Sequence, residues 1–367
     1  MNIMKPSKRK KSLMCKGSNR ASILILVLWS LGLLTIFALY LGLGVRQRLD
    51  FLLRVETRSK LYRIAEAGVK QAAAQIGNFG EESPVALLKD TWSNNVGALS
   101  QIPVLDGSFT VGYSYKAGDL YFKDSEADKP GIIYGAADVM SRLNINSASL
   151  DELSRLIEYT SGIDSYRAEG IASCIIDWRD ADNASLPNGA EDKYYRSLRF
   201  SYDCKDFPLE NLEELYYIKG MDKNVYDRIK PYITVHGSGR VNINTALAPV
   251  FYALGLNDSV VKKILLYRSG EDQVIANSDD CSFSNENSIV AQLSQVYSMS
   301  PSEIAQLSNI VADGKTAVFS HTFLISSVAV LDKRTEKCKI ECVIEKNLNA
   351  DVNKAGWILD WKTEFFI

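Results

Sequence analysis

The sequence predicts an α+β chain: a long N-terminal helix packed on an antiparallel sheet, with a large all-α domain inserted into that sheet. Three observations predict it. No proline occurs between Pro6 and Pro84, and apolar residues recur through that stretch at helical spacing. Alternating, strand-like patterns occur in two separate places, before residue 143 and after residue 312. Between them the period is helical. Strands on both sides of a helical block imply one sheet interrupted by an insertion.

The chain opens on a basic leader, residues 1–21, carrying Lys5, Lys8, Arg9, Lys10, Lys11, Lys16 and Arg20 and no acid. Residues 22–45 follow without a charge, 24 in all, where about 20 suffice to span a bilayer core. Basic flanks stay on the cytoplasmic side. The apolar run exceeds the roughly 7–15 residues of a secretory signal peptide, and no A-x-A-like site ends it. The helix is expected over 22–76, with 22–45 in the membrane. Beyond the membrane Leu49, Leu52, Leu53, Leu61, Ile64, Ala65, Ala72 and Ile76 form one apolar stripe. Small residues in "AEAGVK" (65–70) allow another element to approach closely.

Residues 77–142 read as a first set of strands, with "GSFTVGYSYKAG" alternating apolar and polar. "LNINSASLDELSRLIEYT" then carries a helix start at Ser147/Ser149, ahead of Asp151 and Glu152. The helical block spans 143–312, broken by loops near 180–192, 236–242 and 270–286. Residues 313–367 return to strands, "AVFSHTFLISSVAV" and "KCKIECVIEK", with "GWILDWKTEFF" adding another.

Without the seven basic leader residues, 35 basic residues face 44 acidic ones. An acidic body argues against nonspecific DNA binding and suits cations or basic partners. Two helix-hairpin-helix patterns, around Gly162-Ile163-Asp164 and Gly220-Met221-Asp222, carry Asp where DNA-binding hairpins carry a second Gly. No Ser/His/Asp arrangement is visible. With two histidines, His236 and His321, and no CxxC, zinc is not expected. Five of the six cysteines lie in the body, Cys15 being in the leader; a link between Cys174 and Cys204 across the aspartate loop is one pairing considered. Trp178, Tyr194 and Tyr195 read as core packing.

The chemistry-bearing stretch is "DWRDADNASLPNGAED", in which Asp177, Asp180, Asp182, Glu191 and Asp192 put five carboxylates within 16 residues. Such a cluster repels itself unless a cation sits among it. Ca²⁺ takes six to eight oxygens in irregular geometry. Asp180, Asp182 and Glu191 fall at positions 1, 3 and 12 of an EF-hand-like count, but Ala184 and Ser185 stand where that loop wants an acid and a glycine. Pro187, Asn188 and Gly189 supply the turn that returns Glu191. Asn183 and Asn188 offer side-chain oxygens, and Asp203 and Asp206 a second site. The alternative is a solvated acidic loop.

"RASILILVLW", "AEAG", "LNINSAS", "DWRDADNASLPNGAEDKYY", "LENLEELYYIKG" and "VNINTA" together resemble the pilin class. Within it they are most similar to the K-type minor pseudopilins of type II secretion. The resemblance implies a pilin-like fold, calcium in the aspartate-rich region, and no catalysis. It implies processing by prepilin peptidase before the apolar run. Ala21-Ser22 is the preferred bond, over Gly17-Ser18. Leu26 then takes the fifth mature position, where ordinary pilins carry Glu to pair with a neighbouring subunit's amine. A carboxylate in hydrocarbon costs about 2.5–3.5 kcal/mol and needs such a partner. Its absence at Leu26 implies placement at the pseudopilus tip. The implied partners are I- and J-type minor pseudopilins, the peptidase and the inner membrane, with no nucleic acid. The implied topology is single-pass, N-terminus cytoplasmic and body periplasmic. The alternatives are a membrane-anchored hairpin DNA-binding protein and a minor pilin of a type IV pilus.

Overall fold

The structure is a computed structural model and describes residues 19–78, 85–116, 130–346 and 356–366. Residues 1–18, Cys15 and most of the expected leader among them, lie outside the described residues. The chain divides into two units, 1–59 and 60–367.

Helix α1 runs Asn19–Asn78, 60 residues without a break. In the first unit its apolar side chains from Ile23 to Val55 are exposed, Leu26 among them. The stretch beginning at Ile23 is long and apolar enough to cross a membrane. Residues Leu49, Leu52 and Leu53 of the expected stripe are exposed as well.

In the second unit the stripe is buried. Leu61, Ile64, Ala65, Ala72 and Ile76 pack with Phe109, Val111, Phe323, Ile325, Ile340 and Cys342 in one core. A one-turn helix, α2 (Val96–Leu99), leads into the sheet facing them, which is antiparallel. The sheet contains β1 (Ile102–Val104), β2 (Gly107–Val111), β10 (Thr322–Leu331), β11 (Lys337–Glu345) and β12 (Trp357–Phe366), in that order. Strand β5 (Ala137–Asp138) pairs with the other end of β10. Sequence-distant β2 and β10 are direct neighbours, Ala329 opposite Phe109, so strands from both sides of the insertion form one sheet. Strands β3 (Tyr113–Lys116) and β4 (Pro130–Ile133) pair only with each other among the described residues.

The insertion has its own core, built around Leu156, Ile175, Tyr195, Val225, Phe251 and Ile264. After β6 (Leu143–Asn144), α3 (Leu150–Ser161) starts on the capping box expected from the sequence. Glu152 N–H donates to Ser149 Oγ at 3.3 Å, and Ser149 N–H to Glu152 Oε2 at 2.7 Å. Then come α4 (Ser165–Arg179), α5 (Asp192–Tyr195), α6 (Lys223–Ile229), β7 (Ile233–Thr234) and β8 (Val241–Asn242). The block closes with α7 (Ala248–Ala253), α8 (Asp258–Arg268), α9 (Ile289–Val296), α10 (Pro301–Ala312) and β9 (Thr316–Ala317). The first arm of the second hairpin, Leu212–Tyr217, is 3₁₀ rather than α-helical.

The insertion is a duplicated device. "LNIN" and "VNIN" open its two halves, and each begins a two-residue strand paired in parallel, Leu143 with Ile233 and Val241 with Thr316. The first Asn of each motif accepts the N–H two residues on, Asn146 at 2.9 Å and Asn244 at 3.0 Å. The second Asn brackets a distant loop residue through both amide atoms. Asn146 does this to Leu209 (2.9 and 2.8 Å) and Asn244 to Phe283 (3.0 and 2.8 Å). An arginine ending the second helix of each half, Arg179 or Arg268, donates to the carbonyl of Ala148 or Ala246.

Gly68 of α1 lies against Phe109 and Ser327, and a Cβ there would sit 2.8 Å from the Phe109 ring. Gly68→Ala should therefore lower the unfolding free energy by about 1–3 kcal/mol despite its better helix propensity, read from a denaturant midpoint. Gly77→Ala, with open space around it, should be neutral or stabilising by up to about 1 kcal/mol. Equal behaviour of the two contradicts the close packing.

Candidate metal centre

The aspartate loop is pinned before it is poised. Asp177, in the last turn of α4, is fully buried. Its Oδ1 accepts Leu186 N–H at 3.1 Å and its Oδ2 accepts Ala190 N–H at 2.7 Å. Both ends of the turn are thereby folded back onto the helix. Gly189 is required there, because a Cβ would run into the Asp177 carboxylate. Asn188 adopts the left-handed backbone at φ 65°, a conformation Asn tolerates. Lys219 Nζ donates to the carbonyls of Asn188 (3.3 Å) and Gly189 (3.0 Å).

Asp192 is likewise scaffold. It accepts Cys204 N–H at 2.8 Å and pairs with Arg196 at 2.8 Å; Arg196 in turn donates to Asp203 at 2.6 Å. This chain lays residues 203–206 over the loop and brings Cys204 and Asp206 to Glu191.

Of the five carboxylates singled out from the sequence, the structure brings Asp180, Asp182 and Glu191 together, with ligand-type oxygens within 4.8 Å of one another. Asp177 and Asp192 carry hydrogen bonds instead. A second group, Glu191, Cys204 and Asp206, meets the same distance. Asp203 is held by Arg196, and Asn188 Oδ1 accepts the Tyr166 hydroxyl at 3.0 Å. The weight of Asp206 was the part that sequence reasoning underrated. Its signal is the "DCKD" spacing, legible only once Arg196 is known to hold Asp203.

The two groups share Glu191, which is 5% exposed. Both its carboxylate oxygens, together with Asp180 Oδ1 and Asp206 Oδ1, are buried without a hydrogen-bond partner. Buried carboxylate oxygens are costly when unpartnered. Among the described residues no basic side chain lies within ion-pair distance of Asp180, Asp182, Glu191 or Asp206. Burial pushes the Glu191 carboxyl up to about 7, and the like charges of Asp177, Asp180 and Asp206 push the same way. Burial and then Asp182 also raise Asp180. Orphaned, mutually repelling carboxylates fit a hard dication, which would satisfy them together.

Cys174 and Cys204 are free thiols, a correction to the considered link. Each sulfur faces a carbonyl instead, Asn188 at 3.6 Å and Asp177 at 3.5 Å. Trp178 and Tyr195 are core residues, whereas Tyr194 is exposed. In the hairpins Asp164 and Asp222 are helix N-caps, accepting Arg167 N–H at 3.0 Å and Val225 N–H at 2.9 Å. Asp222 also pairs with Arg167 at 2.7 Å, joining the hairpins to each other. Carboxylates at these positions oppose a phosphate.

The family model for type II secretion system protein K matches residues 135–238, the stretch that holds the whole aspartate loop and both hairpins. The match covers that segment alone. Over 114 residues the chain is 33% identical to type II secretion system protein K of Pectobacterium carotovorum subsp. carotovorum, covering 30% of this chain and 35% of that protein. Over 93 residues it is 36% identical to the Klebsiella pneumoniae protein K, covering 25% and 28%. The aligned region thus spans about a third of the length of these relatives. The fold is that of a solved protein in the GspK-GspI-GspJ complex from enterotoxigenic Escherichia coli, with TM-score 0.61 and 17% identity. That match covers 85% of this chain and 99% of the other.

The raised carboxyl sets a pH signature. Glu191 binds its proton more tightly folded than unfolded, so its contribution to stability is full below about pH 4.5 and is lost as pH rises through about 7. In chelator, stability should decline over that window. Glu191→Gln should flatten the decline and be the more stable form above pH 7. Parallel melting curves across the window contradict this assignment.

Proposed function

We propose that this chain is a minor pseudopilin that caps the tip of the type II secretion pseudopilus and helps start its assembly for protein export. The observation that carries the reading is the pairing of a segment that matches the protein K family model with an anchor helix that has Leu26 where assembly chemistry wants an acid. A subunit without that acid cannot neutralise the amine of a subunit above it, and at the tip there is none. The insertion between β5 and β10 adds bulk that a regular interior position would have to accommodate. The role is assembly rather than catalysis: the anchor helix packs among its neighbours, and the body stays in the periplasm with the N-terminus facing the cytoplasm. The solved neighbour belongs to a complex with GspI and GspJ, and by that likeness I- and J-type pseudopilins are the partners assigned here.

Maturation is the first test. Co-expressed with prepilin peptidase, the chain should yield Ser22 as its N-terminal residue in Edman sequencing or intact-mass analysis. A membrane-embedded product starting at Met1 or Met4 overturns the reading.

Calcium is the cation assigned to Asp180, Asp182 and Glu191, with backbone carbonyls completing an all-oxygen shell. Bound to the folded state alone, it stabilises by about 2.7 kcal/mol at 100 times its Kd. Calcium should raise the melting temperature of the full chain by a few degrees over chelator. Asp180→Ala combined with Glu191→Ala should erase the rise; an identical melt with and without chelator in the unmodified chain counts against calcium.

A further inference from the structure

We infer that a small organic carboxylate with an aromatic tail binds in a cavity between strand β3 and the insertion, held by the guanidinium of Arg142. The site lies apart from the aspartate loop and does not depend on the tip reading.

The carrying observation is a cation without a counterion. Arg142 is half-buried and ends the 3₁₀ turn Val139–Ser141 that follows β5. With Tyr113 it forms a wall shared by two cavities, of about 540 and 270 Å³. Among the described residues its guanidinium has neither a hydrogen-bond nor an ion-pair partner. Other arginines of the insertion differ: Arg155 donates to the Ala253 carbonyl at 2.9 Å, and Arg179 and Arg268 cap carbonyls as described above. The acids whose fields reach Arg142 are engaged elsewhere. Glu341 pairs with Lys339 at 2.6 Å, and Asp138 accepts Met140 N–H, the Asn242 amide and two hydroxyls. A guanidinium keeps its charge in a protein, and a desolvated charge left unpaired is costly. Its planar fork matches a carboxylate through two parallel hydrogen bonds.

Charge and shape choose the cavity and the ligand. The larger cavity is lined by Glu213, Asp227, Asp360 and Glu364 besides Glu341, which repel an anion. In the smaller one Asp138 is the single acid among the described lining residues, and Lys116 adds positive charge. Tyr113, Tyr115, Tyr232, Leu88 and Leu247 supply rings and apolar surface there. A volume of about 270 Å³ suits one ring and its carboxylate, just below the roughly 300–1,000 Å³ of drug-sized sites. Inorganic phosphate would use the guanidinium and leave the apolar wall without a ligand group.

The test uses the full chain in nonionic detergent micelles, with para-fluorobenzoate as the probe followed by fluorine NMR. The resonance should broaden saturably with the unmodified chain, beyond the effect of empty micelles. The uncharged para-fluorobenzamide should not broaden, and inorganic phosphate at the same concentration should not displace the benzoate. Arg142→Met should weaken binding at least about tenfold. Arg142→Lys keeps the charge without the fork and should restore only part of it. If Arg142→Met does not fold, Ser114→Trp decides. Ser114 is an exposed position on β3 that lines the cavity, so an indole there fills the space and should abolish the broadening. The proposal is overturned by the absence of saturable broadening, by equal binding of the amide, or by broadening that survives Arg142→Met or Ser114→Trp. Displacement by phosphate at equal concentration overturns the organic carboxylate as the ligand.

Discussion

One buried carboxylate ties the insertion to the sheet. Asp138 sits on β5, just before the chain leaves for the helical block. It accepts Met140 N–H at 2.7 Å, Asn242 Nδ2 at 2.9 Å, and the hydroxyls of Thr245 and Ser320. Ser320 lies where the chain has just returned from the insertion, and Asn242 and Thr245 lie at its midpoint. Exit, midpoint and return therefore converge on one side chain. Burial raises its pKa, and the hydroxyl and amide donors oppose that shift. Hydrogen bonds to a buried carboxylate are strong, and losing one leaves the others stranded. The antiparallel β2–β10 pairing follows from this convergence, because it brings the two halves of the sheet to a common place.

The acids of the insertion divide by a single criterion: whether an N–H or a cation reaches them. Asp164, Asp222 and Glu152 cap helices; Asp177 and Asp192 fold the loop and its cover. Asp180, Asp182, Glu191 and Asp206 remain. Asp182 accepts Ala184 N–H at 2.8 Å, and Asp180 accepts the N–H of Asp182 while its Oδ1 stays unpartnered. The scaffold acids thus hold the others in place against their repulsion. Both Glu191 oxygens, Asp180 Oδ1 and Asp206 Oδ1 are buried as a result, while Asp182 faces solvent.

Much of this was legible in the sequence where the signal is local. The long helix, the Ser149–Glu152 box and the strand alternation after residue 312 each depend on residues a few positions apart. Resemblance added the anchor logic of Leu26 and the family. What stayed hidden depends on distant partners. That Asp177 points at backbone N–H groups and not at a cation follows from Gly189, and nothing in the spacing tells the two apart. The "LNIN" and "VNIN" motifs were visible as separate signatures. Their equivalence emerges only when Leu209 and Phe283 are seen bracketed in the same way. The Cys174–Cys204 link failed for a similar reason: spacing across a loop says nothing of which carbonyl each sulfur meets. The second hairpin's 3₁₀ arm follows from tertiary packing overriding a helical composition.

The apolar helix with Leu26 in place of an acid and the helical insertion between β5 and β10 bear together on the proposed position in a filament. A filament that carries this chain should carry it at one end. The direct measurement is gold labelling of a tag on the insertion in pseudopili sheared from cells that overproduce the major subunit. The account predicts a single label at one terminus of each filament and none along its length. Regularly spaced label along the shaft would contradict it.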